Sequence, residues 1–441
     1  MTYLKWLFLI ALIVIGSGFA SSQDSGSGKL TNLDSRNEEF MDWGLGMFIH
    51  WGLDVQLGSV ISHSMVGASD EYLERYINEL PATFNPTNYD PDRWAKLAKL
   101  AGFKYLVFTT KHHSGFCMWP TKTTDFSVKN TPFGRDIVGE FVKACHDNGL
   151  KAGFYFSPDD FIFLHRQGKT ISRSAEYAKI TGNPGLLRYD KEQVRELLTN
   201  YGPIDVIFFD SDENDSLVQL AHQLQPECIV TRGEMKTPEQ VIPDTPIPGP
   251  WEACFTLGTQ WQFKPTNEVY KSGTELINML IEIRAKGGNL LINMGPDPDG
   301  NIPFEQERIF RELALWMFVN REAIYEMRPC KVTREGNIWF ARNKEGTDVY
   351  MFLTEQNEWK LGDQKVFSVK SVRSTGRTII SVLGQNDEIV EYHPEITPVS
   401  QFTQEEEKLT FSVYRAQRLY NNKKWPNPLV VKLSNVILSG R

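Results

Sequence analysis

The chain has 441 residues, too long for one domain of ordinary size, and its 41% hydrophobic and 23% charged content suits a globular protein with a large core. A net charge of -8, with no basic run, argues against nucleic-acid binding. The five cysteines are an odd number and widely spaced, with no metal-type pairing, and 12% aromatic content including 11 Trp is high.

The first residues have the pattern of a secretory signal. Lys5 precedes the apolar run from Trp6 to Ile15, and small residues follow to Ala20. That core is too short to span a bilayer and suits cleavage after Ala20. The expectation is a signal peptide over 1–20, a flexible leader over 21–34, and a secreted or periplasmic protein with no stable membrane insertion after signal removal.

Apolar runs then recur, each ending on polar groups. Gly46-Met-Phe-Ile ends on His50-Trp51, and Tyr105-Leu-Val-Phe-Thr-Thr ends on Lys111-His112-His113. Lys151-Ala-Gly-Phe-Tyr-Phe ends on Ser157, Asp205-Val-Ile-Phe-Phe on Asp210, Cys228-Ile-Val on Arg232, and Asn289-Leu-Leu-Ile on Asn293. Helical patterns alternate with them: Pro91–Ala101, Asp136–Asn148, Lys191–Asn200, Ser216–Gln225, Thr274–Lys286 and Phe304–Ile324. Alternating strands and helices predict a parallel sheet. The length, and the lack of a Gly-rich phosphate loop, favour closure into a (β/α)8-like barrel over 35–330. Its downstream strand ends would share one mouth.

Near Arg328-Pro329-Cys330 the pattern changes. Short alternating runs follow, at Ile338–Ala341, Asp348–Leu353, Thr378–Leu383, Lys408–Val413 and Leu429–Leu433. They predict a C-terminal antiparallel β-sandwich over 331–441.

Asp210 is the strongest chemical candidate, because burying a carboxylate costs several kcal/mol unless it is paired or hydrogen-bonded. A helix cap or an Arg partner would explain a lone strand-end Asp about half the time. The other polar strand ends lower that share. His112-His113 invites a metal reading, but neighbours in an extended chain point to opposite faces, and no third ligand stands at metal spacing. Hydrogen bonding to a polyol fits better, since imidazole both donates and accepts. A second acid could be Glu234, Glu239 or Glu252, all within the long Pro-rich connection from Arg232 to Trp261. Composition does not choose among them.

Six motifs together resemble the α-L-fucosidases of glycoside hydrolase family 29. They are Trp43-Gly-Leu-Gly-Met-Phe-Ile-His-Trp-Gly52, Lys111-His-His-Ser-Gly-Phe-Cys-Met-Trp-Pro120, Gly153-Phe-Tyr-Phe-Ser157, Asp205-Val-Ile-Phe-Phe-Asp210, Trp251-Glu-Ala-Cys254 and Gly287-Gly-Asn-Leu-Leu-Ile-Asn-Met-Gly-Pro296. The resemblance implies a barrel followed by a β-sandwich, and a retaining exo-fucosidase acting on fucosylated oligosaccharides or glycoconjugates without metal or other cofactor. It implies Asp210 as nucleophile and Glu239, in Thr237-Pro-Glu-Gln240, as general acid/base, with Glu252 as runner-up. It further implies His50, His112, His113, Tyr155, Phe208, Arg232 and Trp251 as sugar-binding residues. Two motifs depart from the family: Phe208 stands where many relatives have Trp, and Ser69-Asp-Glu-Tyr72 where many have a Glu-Trp pair. A glycosidase for another sugar, such as a galactoside, and a catalytically silent glycan-binding protein are the competing expectations.

Overall fold

The computed structural model describes residues 29–354, 359–420 and 426–438. Residues 1–20, expected to be a signal peptide, lie outside them. The chain enters through residues 29–33, expected to be flexible but tied down here. Lys29 pairs with Asp215 at 2.8 Å. The Asn32 amide donates to Val230 O and accepts from Val230 N. The Asn32 side chain, bonding both backbone groups of Val230, makes this a docked segment.

Seven parallel strands form one curled sheet in the order β5-β4-β3-β2-β1-β7-β6. They are β1 (Leu45–Ile49), β2 (Tyr105–Lys111), β3 (Lys151–Phe156), β4 (Val206–Phe209), β5 (Ile229–Val230), β6 (Glu252–Phe255) and β7 (Asn289–Met294). Nearly every strand residue is buried, as expected where helices cover the outer face and side chains fill the inside. Between β5 and β6, residues 236–240 run along β6. Glu252 N donates to Lys236 O, Cys254 N to Pro238 O, and Gln240 N to Cys254 O. This extended segment serves as an eighth stave.

β6 corrects the expectation of one long loop from Arg232 to Trp261. Glu-Ala-Cys-Phe carries a carboxylate and no apolar run, so its sequence conceals a buried strand.

The helices are α1 (Asp34–Trp43), α2 (Asp70–Thr83), α3 (Pro91–Leu100), α4 (Ile137–Asp147), α5 (Phe161–Arg166), α6 (Pro184–Asn200), α7 (Asp215–Leu224), α8 (Gly273–Ala285) and α9 (Phe304–Asn320). Local chemistry sets several starts. Asp90 accepts from Arg93 N and Pro91 opens α3, while Ser272 and Glu275 form a capping box on α8. Asn183 caps α6 ahead of Pro184, which is why that helix begins before Lys191. α1 closes the barrel floor, where Phe40 and Trp43 pack on Tyr105 at 5.6 and 5.3 Å between ring centroids. Gly46 makes room there, since a Cβ would stand 2.2 Å from the Tyr105 ring.

From β8 (Met327–Glu335) onward the chain is antiparallel. β9 (Ile338–Asn343), β10 (Asp348–Leu353), β11 (Gln364–Val369), β12 (Val372–Val382), β13 (Gln401–Glu405), β14 (Lys408–Tyr414) and β15 (Leu429–Leu438) follow. They form sheets β12-β15-β10-β9-β8 and β11-β14-β13 around a core that includes Phe340, Met351, Val372, Phe411 and Val431. The (β/α)8-like barrel and the antiparallel β-layers are the architecture that the sequence predicts.

Candidate active site

Asp210 follows β4 directly, and its N–H bonds Phe156 O at 3.0 Å, so the β3–β4 pairing fixes where its side chain points. That side chain is only 16% exposed. Oδ2 accepts from the Tyr155 hydroxyl at 2.6 Å and Oδ1 from Arg232 Nη1 at 2.6 Å. Burial pushes the Asp210 carboxyl up, but the Arg232 charge, the Tyr155 hydrogen bond and the Arg173 charge together hold it below the ordinary carboxylate range. Asp210 is therefore an ionised carboxylate at the barrel mouth. Arg232 is steadied from behind by Phe208, whose ring centre lies 4.6 Å from the guanidinium carbon.

His50, His112 and His113 converge beside it. His50 Nδ1 lies 2.6 Å from Asn293 Oδ1, and the Asn293 amide donates to Trp261 O, so the Asn oxygen must accept. His50 therefore donates from Nδ1 and offers Nε2 as an acceptor. His113 Nδ1 lies 2.6 Å from Ser157 Oγ, which itself donates to Asp159 O at 3.1 Å. His113 Nε2 lies 3.5 Å from Asp210 Oδ2. His112 Nδ1 meets Ser62 Oγ at 2.8 Å. Burial lowers His50 to about 4 and holds the other two well below the ordinary value. The rings are neutral, and the His113–Asp210 approach is not an ion pair.

The expectation that His112 and His113 diverge is corrected. The strand ends at Lys111 and the chain turns, with Gly115 N donating to His112 O, so both rings face the cavity at 4.1 Å between centroids. Beneath the turn, the buried Lys111 ammonium pairs with Asp190 at 2.8 Å and Asp160 at 3.4 Å. Two carboxylates face one ammonium, and burial lifts Asp190 to about 7. Ligand-type atoms of His112, His113 and Asp210 come within 4.8 Å of one another. A cation there would compete with Arg232 and Tyr155 for both carboxylate oxygens, and would face a second guanidinium, Arg173.

Glu239 ends the eighth stave. Its Oε2 accepts from Arg232 Nη2 at 2.9 Å, and the side chain is 44% exposed. One planar guanidinium thus spans Asp210 and Glu239. Glu252 is placed elsewhere. It lies one layer below Cys254 on β6 and accepts from the Tyr105 hydroxyl at 2.8 Å on the barrel floor, wholly buried. It does not reach the cavity, because the two residues point to the same face with a full side-chain layer between them. Trp251 is likewise corrected. It is 1% exposed and packs against Gly288, where a Cβ would stand 2.4 Å from its ring. The long ring fills the core beside β7 and is not among the residues lining the cavity beside Asp210.

The cavity is about 140 Å³, comparable with one monosaccharide if a water takes roughly 10–15 Å³. Phe48, Phe208 and Trp261 give it an aromatic wall, with Trp261 packed on His50 at 4.8 Å. His63, Arg173, Trp261 and Cys254 also line it and were not singled out from sequence. His63 opens a three-residue 3-10 turn and Arg173 sits in an irregular segment, both too short on pattern to be marked in sequence. Ser69 and Tyr72 open α2 and are not among the lining residues.

The α-L-fucosidase family model matches residues 18–322. Among curated relatives, an α-L-fucosidase of Dictyostelium discoideum is 27% identical over 73% of this chain and 75% of its own length. A tissue α-L-fucosidase of Bos taurus is 29% identical over 68% and 67%. Among solved structures, α-L-fucosidase isoenzyme 1 from Paenibacillus thiaminolyticus superposes with TM-score 0.72 at 27% identity, covering 90% of this chain and 98% of its own. A Bacteroides thetaiotaomicron α-L-fucosidase of family 29, described as a trapped covalent intermediate, gives 0.71 at 25% identity, covering 93% and 98%. A barrel mouth with an ionised strand-end carboxylate, a second carboxylate on the same guanidinium and a match over most of the chain place this protein in the α-L-fucosidase family, glycoside hydrolase family 29.

Proposed function

We propose that the protein is a retaining exo-α-L-fucosidase in which Asp210 is the nucleophile and Glu239 the general acid/base. The observation that carries this reading is the Asp210–Arg232–Glu239 arrangement, with Asp210 held ionised by its partners. In retaining enzymes the two carboxyl groups stand about 5–5.5 Å apart, close enough to serve one glycosidic bond.

In the first step an Asp210 oxygen attacks the anomeric carbon as the C1–O bond breaks, and Glu239 gives its proton to the departing oxygen. The fucosyl ester on Asp210 is the product. In the second step Glu239, now a carboxylate, takes a proton from water, and that water oxygen displaces Asp210 from C1. The bare Nε2 of His50 accepts from a sugar hydroxyl. Contacts that tighten as charge develops at C1 lower the barrier. Phe48, Phe208 and Trp261 offer an apolar face to the C6 methyl of fucose, where a galactoside would bring a hydroxyl.

Fucosylated oligosaccharides or glycoconjugates are the proposed substrates, reached after export directed by residues 1–20. No described helix is long and apolar enough to cross a membrane. Proton NMR of the first sugar released from an aryl α-L-fucoside tests the reading. Initial α-fucose is expected, and initial β-fucose would contradict it.

A further inference from the structure

Beside the sugar cavity lies a second hollow of about 250 Å³ whose lining differs in kind. Every side chain around it is polar or charged, including Asp159, Lys179, Ser211, Asp212 and Glu213. It has no aromatic wall. Asp210, Arg232 and Arg173 line both hollows. Asp210 and Arg232 are committed to each other, whereas Arg173 lends the site above only its charge.

Arg173 is held by one edge. Its Nε donates to Asp159 Oδ2 at 2.8 Å. Asp159 is itself buried, 3.8 Å from His113 Nδ1. The segment bearing Arg173 is anchored further along, where Lys179 and Thr181 both bond Glu213 in the turn after β4. The side chain is 43% exposed. With Nε engaged, the two terminal nitrogens form a planar fork at the boundary between the hollows.

We infer that Arg173 is a specificity-determining residue that donates this fork to the sugar bearing the fucose, so that the polar hollow selects hydroxyl-rich saccharide leaving groups over apolar ones. This rests on the fucosidase reading, with fucose in the aromatic-walled cavity and C1 at Asp210. A leaving group at C1 then extends past Arg173 into a hollow that offers the Arg173 fork as donor and Asp212 as acceptor, beside the Lys179–Glu213 pair. Such a surface satisfies a glycan's hydroxyls and gives an aryl ring nothing to stack on.

The test compares kcat/KM for a fucosylated disaccharide with that for an aryl α-L-fucoside, in wild type, Arg173→Met and Arg173→Lys. Lys keeps the positive charge near Asp210 but not the fork, so it separates recognition from electrostatics at the nucleophile. The disaccharide-to-aryl ratio is expected to fall about tenfold in both variants, the loss for one charge-assisted hydrogen bond. A ratio that moves less than fivefold in Arg173→Met, or that Arg173→Lys fully restores, overturns the inference. Thermal unfolding of each variant identifies one that has not folded, and the ratio is then read from Arg173→Lys alone. If wild type releases no fucose from either substrate, the fucosidase reading itself fails, which is a separate result.

Discussion

The hydroxyl of Tyr155 lies 2.6 Å from Oδ2 of Asp210, reaching across from the neighbouring strand. This contact and the Arg232 pair are what let a carboxylate stay ionised in a largely buried site. Removing the hydroxyl should therefore raise the Asp210 titration point and weaken Asp210 in its proposed role as nucleophile. Tyr155→Phe is expected to lower kcat/KM about 10- to 100-fold, from roughly 1.5–3 kcal/mol for a hydrogen bond to a charged group. The acid limb of its pH–rate profile should move to higher pH. An unmoved acid limb would show that Tyr155 does not set the charge of Asp210.

Asp210→Gly should lose turnover of an aryl α-L-fucoside by about 10⁴-fold or more, as when a covalent nucleophile is deleted. Azide, small enough to occupy the vacated space, should restore activity and yield a fucosyl azide. Residual turnover within tenfold of wild type would remove Asp210 from the chemistry.

Glu239→Gln should separate substrates by leaving group. Fucosides with poor leaving groups need the proton and should slow by about 10²–10⁴-fold, whereas activated aryl fucosides should lose less in their first step. A uniform loss across leaving groups, measured by pre-steady-state kinetics, would assign Glu239 a structural part instead.

Glu252 should act on stability and not on turnover. Burial lifts it from an ordinary 4.5 to about 7, so between those values the folded protein holds a proton that the unfolded chain has lost. Its stabilising share is then complete below about pH 4.5 and disappears as pH rises through about 7, on the order of 3 kcal/mol in all. Asp190 adds a decline of the same sign. Glu252→Gln should make the fall in urea midpoint between about pH 5 and about pH 8 shallower than in wild type. An unchanged slope would contradict the buried, proton-holding role.

Much of this site is written in strand ends. The run through Phe208 and Phe209 stops on Asp210, and those through Tyr105, Gly46 and Cys228 stop on His112, His50 and Arg232. A buried parallel strand has no other reason to end on such groups in concert, so barrel and mouth could be read together. What escaped was set by tertiary context. Glu252 resembles a loop acid because its strand has no apolar run, yet hydrogen bonds to 236–240 and β7 bury it. Trp251 resembles a sugar platform until Gly288 is seen to admit its ring into the core. His63 and Arg173 carry no pattern, since the connections between β1 and α2 and between α5 and α6 bring them to the cavity. The His112–His113 pair defeated the alternation rule because the strand had already ended at Lys111.

Everything rests on a covalent fucosyl bond to one oxygen of residue 210. Incubation with 2-deoxy-2-fluoro-fucosyl fluoride, then proteolysis and tandem mass spectrometry, reads that bond directly. One fluorofucosyl unit on Asp210 is the predicted result. A label on Glu239, Glu252 or any other side chain, or none after complete inactivation, would contradict it.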